Sequence, residues 1–130
     1  MLIDSAPLIY WLDDYPEFAA KFEALFDLHE RAQIQIAIST IAVAEVLAGP
    51  FKAKQEVLAK QYEKALASFE IVPVSVEIAV SAARLRSTAG LRLPDAIVAA
   101  TALEIGATAL VTHDRDFSKL QGLRVLSGQL

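Results

Sequence analysis

Four carboxylates stand in apolar surroundings at widely separated points of the chain. Asp4 follows Met1-Leu-Ile, and Glu45 interrupts the run Ile41-Ala-Val-Ala-Glu-Val-Leu-Ala48. Asp95 opens the apolar stretch Asp95-Ala-Ile-Val-Ala-Ala100, and Asp114 follows Thr108-Ala-Leu-Val-Thr112. An acid in such a setting is costly to fold unless it is paired, hydrogen-bonded or bound to a cation. Four of them point to one assembled acidic pocket. With no cysteine and two histidines in the chain, an all-oxygen pocket suits Mg²⁺ or Mn²⁺ rather than zinc. Such ions serve phosphodiester hydrolysis by activating water and clamping the attacking and leaving oxygens, so no side-chain nucleophile is needed. The chain indeed has no Ser/His/Asp set, glycine-rich phosphate loop or GxSxG motif.

Each acid also has a plainer explanation. Asp4 can cap a helix starting near Ser5. Asp95, after Pro94, suits the positive end of a helix, and Asp114 suits a turn. Glu45 is harder to explain this way, because its helical neighbours Ile41, Ala42, Ala48 and Gly49 are small or apolar. His29 reads as a solvated helix residue and His113 as an exposed turn residue.

The elements that must position these acids alternate between strand and helix. Met1–Asp4, Ile34–Ser39, Ile71–Val74, Thr108–Thr112 and Leu123–Leu126 read as strands, the last of them short. Helices are expected from Ser5 to Asp13, from Pro16, from Ile41 to Ala48 with Thr40 as cap and Gly49-Pro50 as stop, and over 51–69. Two more run from Ser75 to about Thr88, closed by Gly90, and from Pro94 to Gly106. In the helix over 51–69, Val57, Leu58, Tyr62, Leu66 and Phe69 trace one face. The strands are Val/Ile/Leu-rich without clear alternation, as in sheets covered on both faces. The expected fold is a single α/β domain over 1–130, with an open, mainly parallel sheet of four to five strands and helices on both faces. Ligands bind such sheets at the carboxyl ends of the strands. Asp4 and Asp114 lie at strand ends, and Glu45 and Asp95 in first helical turns, so all four are expected on one edge.

Composition narrows the choices. The chain has 130 residues, 55% of them hydrophobic, enough for one domain with a real core. Charged or polar residues break each apolar run before bilayer length, and no basic segment precedes the apolar start, so a cytoplasmic protein is expected. The net charge of −4 argues against a general nucleic-acid binder. Yet residues 1–50 hold two basic against eight acidic residues, and residues 51–130 ten against eight. A nucleic acid that docks locally is therefore compatible.

The segments Leu2-Ile-Asp-Ser-Ala6, the Glu45 helix, Leu93-Pro-Asp-Ala-Ile-Val-Ala-Ala-Thr-Ala102 and Leu110-Val-Thr-His-Asp-Arg-Asp-Phe117 resemble PIN-domain proteins, in particular the VapC-type ribonuclease toxins of toxin–antitoxin pairs. The resemblance covers essentially the whole chain. It implies a Mg²⁺- or Mn²⁺-dependent endoribonuclease with Asp4, Glu45, Asp95 and Asp114 as catalytic and metal-holding acids. Asp116 either assists or caps the next short helix, and Ser5 and Thr112 support the site. His113 stands where many relatives have Asn or Arg. The resemblance also implies a homodimer and a VapB-like antitoxin partner. Tyr10, Trp11, Tyr15, Phe18 and Phe22 are candidates for an apolar interface, with Trp11 and Tyr15 favoured because aromatic residues are enriched at interface cores. Phe18 and Phe22 equally fit a core. Arg92 and Arg115, with Arg84, Arg86, Lys119, Lys52 and Lys54 nearby in sequence, are candidates for RNA phosphates, whereas Lys60 and Lys64 read as ordinary surface.

Three rivals stand beside this reading. The first is a non-catalytic PIN-like module that uses the pocket to bind a protein. The second is a phosphoacceptor domain, disfavoured because Ile71–Val74 ends without an acid and no lysine follows Val111 until Lys119. The third is a metal-dependent phosphatase.

Overall fold

The structure, a computed structural model, describes residues 1–114, 117, 120 and 122–127, apart from the side chains of Phe18 and Ala19. Arg115, Asp116 and Lys119, and the Phe18 side chain, for which the sequence raised expectations, lie outside the described residues. The described elements run β1 (Leu2–Ile3), α1 (Ser5–Leu12), α2 (Pro16–Glu30), β2 (Ala37–Ser39), α3 (Thr40–Lys52), α4 (Glu56–Leu66), β3 (Glu70–Val72), α5 (Val76–Ala89), α6 (Leu93–Glu104), β4 (Leu110–Val111) and β5 (Val125–Leu126).

All the strand pairs are parallel, and the sheet order is β3-β2-β1-β4-β5. Successive strand residues face opposite layers. Ile3, Ile36, Ile38 and Val111 enter one core with Leu8, Phe22, Phe26, Val46 and Leu66 from α1 to α4. Leu2, Ala37 and Leu110 enter the other with Ile78 and Ala82 of α5 and Ala96, Ala99 and Ala100 of α6. The missing hydrophobic alternation is thus the mark of a sheet buried on both sides. A fully buried aromatic such as Phe22 or Phe26 contributes on the order of 1.5–3 kcal/mol.

The chain lays β1, β2 and β3 outward to one edge, then returns to place β4 on the other side of β1. β1 and β4 therefore flank the switch point, the place where ligands bind at the carboxyl ends of such sheets. Asp4 N–H donates to the Val111 carbonyl at 2.8 Å, which puts the residues after β1 and β4 side by side.

Several boundaries differ from the sequence reading. The strands are shorter, because β1 has only two residues before Asp4 starts the turn into α1, and its neighbours register on those two. Ser39, not Thr40, caps α3: its hydroxyl accepts from Ile41 N–H at 3.2 Å. The Thr40 hydroxyl instead accepts from Val74 N–H at 3.2 Å, tying α3 to the segment after β3. Gly49-Pro50 does not end α3, which runs to Lys52 with a buried Pro50 inside it. Proline's φ suits a helix, and the missing N–H removes one bond near the helix end. The stop comes at Lys54, in the left-handed region at φ 58°, so the next helix begins at Glu56 rather than at 51. Its buried face is Ala59, Tyr62 and Leu66, with Val57 left 73% exposed. The later caps are as expected: Ser75 Oγ accepts from Ile78 N–H at 3.1 Å, and Gly90 closes α5 at φ 68°.

The aromatic residues divide in a way their spacing conceals. Trp11 stacks on Phe26 at 4.5 Å and meets Phe69 edge-on at 5.8 Å, so it packs against the core while staying partly exposed. Phe22 is core, and Tyr15 remains exposed. His29 is not a solvated residue. Its ring stacks on Phe69 at 4.3 Å, Nε2 lies 3.3 Å from Ser68 Oγ, and Nδ1 is buried without a partner among the described residues.

Candidate active site

Asp4 is the centre of the acidic edge. It is the N-cap of α1, only 7% exposed, and both carboxylate oxygens are held. Oδ1 accepts from Ser5 N–H at 2.8 Å, and Oδ2 accepts from the Thr112 hydroxyl at 2.9 Å. Thr112 Oγ1 in turn accepts from Asp114 N–H at 3.0 Å. This chain joins the residues after β1 to those after β4. Capping and site assembly are therefore one arrangement, not alternatives. Burial pushes the Asp4 carboxyl up; the bonds from Ser5 and Thr112 oppose this, and the charges of Asp95 and Asp114 reinforce it.

Glu45 joins the same field from α3. It lies in the second turn, not the first, and is exposed. Its small neighbours do not enclose it. Desolvation raises its carboxyl, Asp4 and Asp95 raise it further, and Ser5 and Arg92 act to lower it. Asp95 comes from the first turn of α6, as expected, where the helix dipole favours an acid. Arg92 Nε donates to its Oδ2 at 3.3 Å. Asp4, Glu45, Asp95 and Asp114, with Ser5 and Thr112, thus share one edge at the switch point.

Two contacts had escaped attention in the sequence. The Arg92–Asp95 pair has i,i+3 spacing across a helix start, which is a readable signal. His113 is half-buried, not an exposed turn residue, and meets the Tyr10 ring edge-on at 5.6 Å. No local spacing announces that contact, since α1 and the segment after β4 are distant in sequence.

The donor set fits a hard divalent cation in kind, with only carboxylate and hydroxyl oxygens offered, and the acids' mutual effects place them within one field. As the side chains stand, no three acidic or histidine groups among the described residues close around a point that an ion could fill. Asp4 is turned to its two donors and Asp95 to Arg92. Carboxylates that repel one another have no reason to converge before a cation is present.

No helix among the described residues is long and apolar enough to cross a membrane. A comparison with curated proteins finds no match. Among solved structures, the chain is similar to a toxin–antitoxin complex from Klebsiella pneumoniae, with 31% identity, TM-score 0.75, and 99% of this chain and 98% of that chain covered. It shares its fold with VapBC2 from Rickettsia felis bound to a DNA fragment from their promoter (23% identity, TM-score 0.78, 96% of each chain). It likewise shares it with FitAcB from Neisseria gonorrhoeae (23% identity, TM-score 0.77, 98% of this chain and 96% of that one). The PIN domain model matches residues 1–123, so this chain, with its acids gathered at the switch point of a parallel sheet, belongs to the PIN-domain family.

Proposed function

We propose that this protein is a Mg²⁺- or Mn²⁺-dependent endoribonuclease and the toxin of a VapBC-type pair. One observation carries the reading: Asp4 is buried with both oxygens hydrogen-bonded, yet remains under the charges of Asp95 and Asp114. A purely structural cap needs no such company. The likeness to a toxin–antitoxin complex at 31% identity over nearly the whole of both chains supports the biological setting.

In this reading Asp4, Glu45, Asp95 and Asp114 hold the cation or cations. The bound ion supplies Lewis acidity and makes a water acidic enough to lose its proton near neutral pH. Thr112 and the Ser5 amide fix the Asp4 carboxylate so that it needs little reorganisation on binding. Glu45, exposed on α3, reaches solvent and is the acid best placed to orient a water or take its proton. The fold's crevice admits the RNA backbone, and exposed basic residues such as Arg92 steady its phosphates. From the sequence resemblance, Asp116 is proposed to assist the metal-holding acids and Arg115 to contact RNA. A VapB-like antitoxin and a second copy of the chain are the proposed protein partners, in the cytoplasm.

The test is cleavage of a mixed-sequence, structured RNA pool by purified, antitoxin-free protein with Mg²⁺, Mn²⁺ or EDTA. Cutting that needs metal and disappears in Asp95→Asn is expected. Cutting that survives EDTA or Asp95→Asn would overturn the assignment. Folded protein that cuts under no metal would favour the non-catalytic binding module.

A further inference from the structure

Arg92 occupies an unusual position for a cation. It is the N-cap residue of α6, with extended backbone at φ −62° and ψ 151°, and its side chain makes no capping bond. The positive end of a helix is an unfavourable place for a guanidinium. The side chain instead turns to Asp95, with Nε donating to Oδ2 at 3.3 Å; Arg92 is 80% exposed and Asp95 14%. Its charge also reaches Glu45, where it weakly opposes the desolvation and the Asp4 and Asp95 charges that raise that carboxyl. One cation thus serves two of the acids assigned to the ion.

An exposed pair of this kind is worth roughly 0–1 kcal/mol. It is strong enough to claim a carboxylate oxygen and weak enough for a divalent ion to displace. The contact occupies Oδ2, one of the two oxygens Asp95 can offer to an ion, and among the described residues the acidic side chains do not close around a common point.

We propose that Arg92 is a built-in counter-ion that competes with the divalent cation for Asp95, so that ion binding must first release its side chain. The proposal rests on the ion-binding reading above. Arg92 acts through Asp95 and is a positioning residue. It offsets part of the acidic edge's charge in the ion-free protein and raises the concentration of ion needed to load the site.

The experiment is Mn²⁺ titration of the full-length ion-free protein, without RNA, read by the electron paramagnetic resonance of free Mn²⁺. Arg92→Gln is compared with wild type and with Arg84→Gln, which removes a charge from an exposed position on α5. Arg92→Gln is expected to bind Mn²⁺ about 3–5-fold more tightly, the scale of one exposed pair, while Arg84→Gln matches wild type. Unchanged or weaker binding in Arg92→Gln, or an equal gain in Arg84→Gln, would overturn the proposal while leaving the ion-binding reading intact. Absence of Mn²⁺ binding in all three proteins would remove that reading and the proposal with it.

Discussion

The Thr112 hydroxyl donates to Asp4 Oδ2 at 2.9 Å, linking residues 108 positions apart across the two central strands. Thr112 Oγ1 itself accepts from Asp114 N–H, so one buried side chain orients two acids. Thr112→Val keeps the shape and removes both bonds. It should cost about 1–3 kcal/mol, because the Asp4 oxygen and the Asp114 amide both lose their partner, and it should abolish RNA cleavage. Thr112→Ser retains the hydroxyl and should keep most activity. Urea unfolding alongside the cleavage assay checks both. Equal activity in Thr112→Val and wild type would show that the bond does not orient the site.

Asp4→Asn separates stability from activity in the opposite direction. Burial and the charges of Asp95 and Asp114 all oppose ionisation of Asp4. A neutral side chain of the same shape can still accept from Ser5 N–H through its oxygen, and its amide NH₂ can donate to Thr112 Oγ1 in place of the bond that hydroxyl gives Asp4, while losing that repulsion. In EDTA the variant should melt at the same temperature as wild type or roughly 2–6 °C higher. In Mn²⁺ the order should reverse, since wild type gains stability by binding the ion and the variant does not. A variant that melts well below wild type in EDTA would mean that the carboxylate is primarily a structural cap.

Much of this arrangement could be read before any coordinates, and the reasons are local. Asp4 before Ser5, Ser75 before α5, Gly90 after it and Pro94-Asp95 at the start of α6 are cap and turn signals that depend on a few neighbouring residues. The placement of the acids on one edge was expected from topology, because strand ends and helix starts share an edge in parallel α/β sheets. What escaped was set by tertiary contact. Thr40 and Ser39 both suit a cap, and the choice fell to Ser39 because Thr40 is engaged by Val74. Glu45 drew attention through its small neighbours, yet it is exposed, because Ala48 and Gly49 face outward beside it. His29 read as solvated because its helix is rich in surface residues, and Trp11 as an interface residue because aromatic residues are enriched there, but each ring stacks on an aromatic partner from elsewhere in the fold.

His29 makes the fold sensitive to mild acid. Its pKa is lowered from 6.5, chiefly by burial, against the opposing effects of Glu30 and Ser68. The unfolded chain therefore takes up the proton first as pH falls. The stability that goes with neutral His29 is complete above about pH 6.5 and is lost as pH drops below that toward the folded value. His29→Phe keeps a ring against Phe69 and removes the titration. Between about pH 7.5 and pH 5, the urea midpoint of wild type should fall more than that of the variant. Parallel curves would show that the His29 ring is as well solvated folded as unfolded.

Glu45→Gln gives the sharpest division between chemistry and fold. Glu45 is exposed, and its raised carboxyl reflects desolvation and the nearby charges of Asp4 and Asp95. Replacing it removes one unit of like charge from the edge, and glutamine can still accept from the Ser5 hydroxyl, so stability in EDTA should change by less than about 0.5 kcal/mol. If Glu45 orients or deprotonates the attacking water, or holds an ion that does, cleavage should fall by about 10²-fold or more. Binding of Mn²⁺ distinguishes the two roles. Nearly unchanged affinity with lost cleavage assigns Glu45 to the water, whereas a matching loss of affinity assigns it to the ion. A variant that cuts RNA as fast as wild type would exclude Glu45 from the site and leave Asp4, Asp95 and Asp114 to account for the chemistry alone.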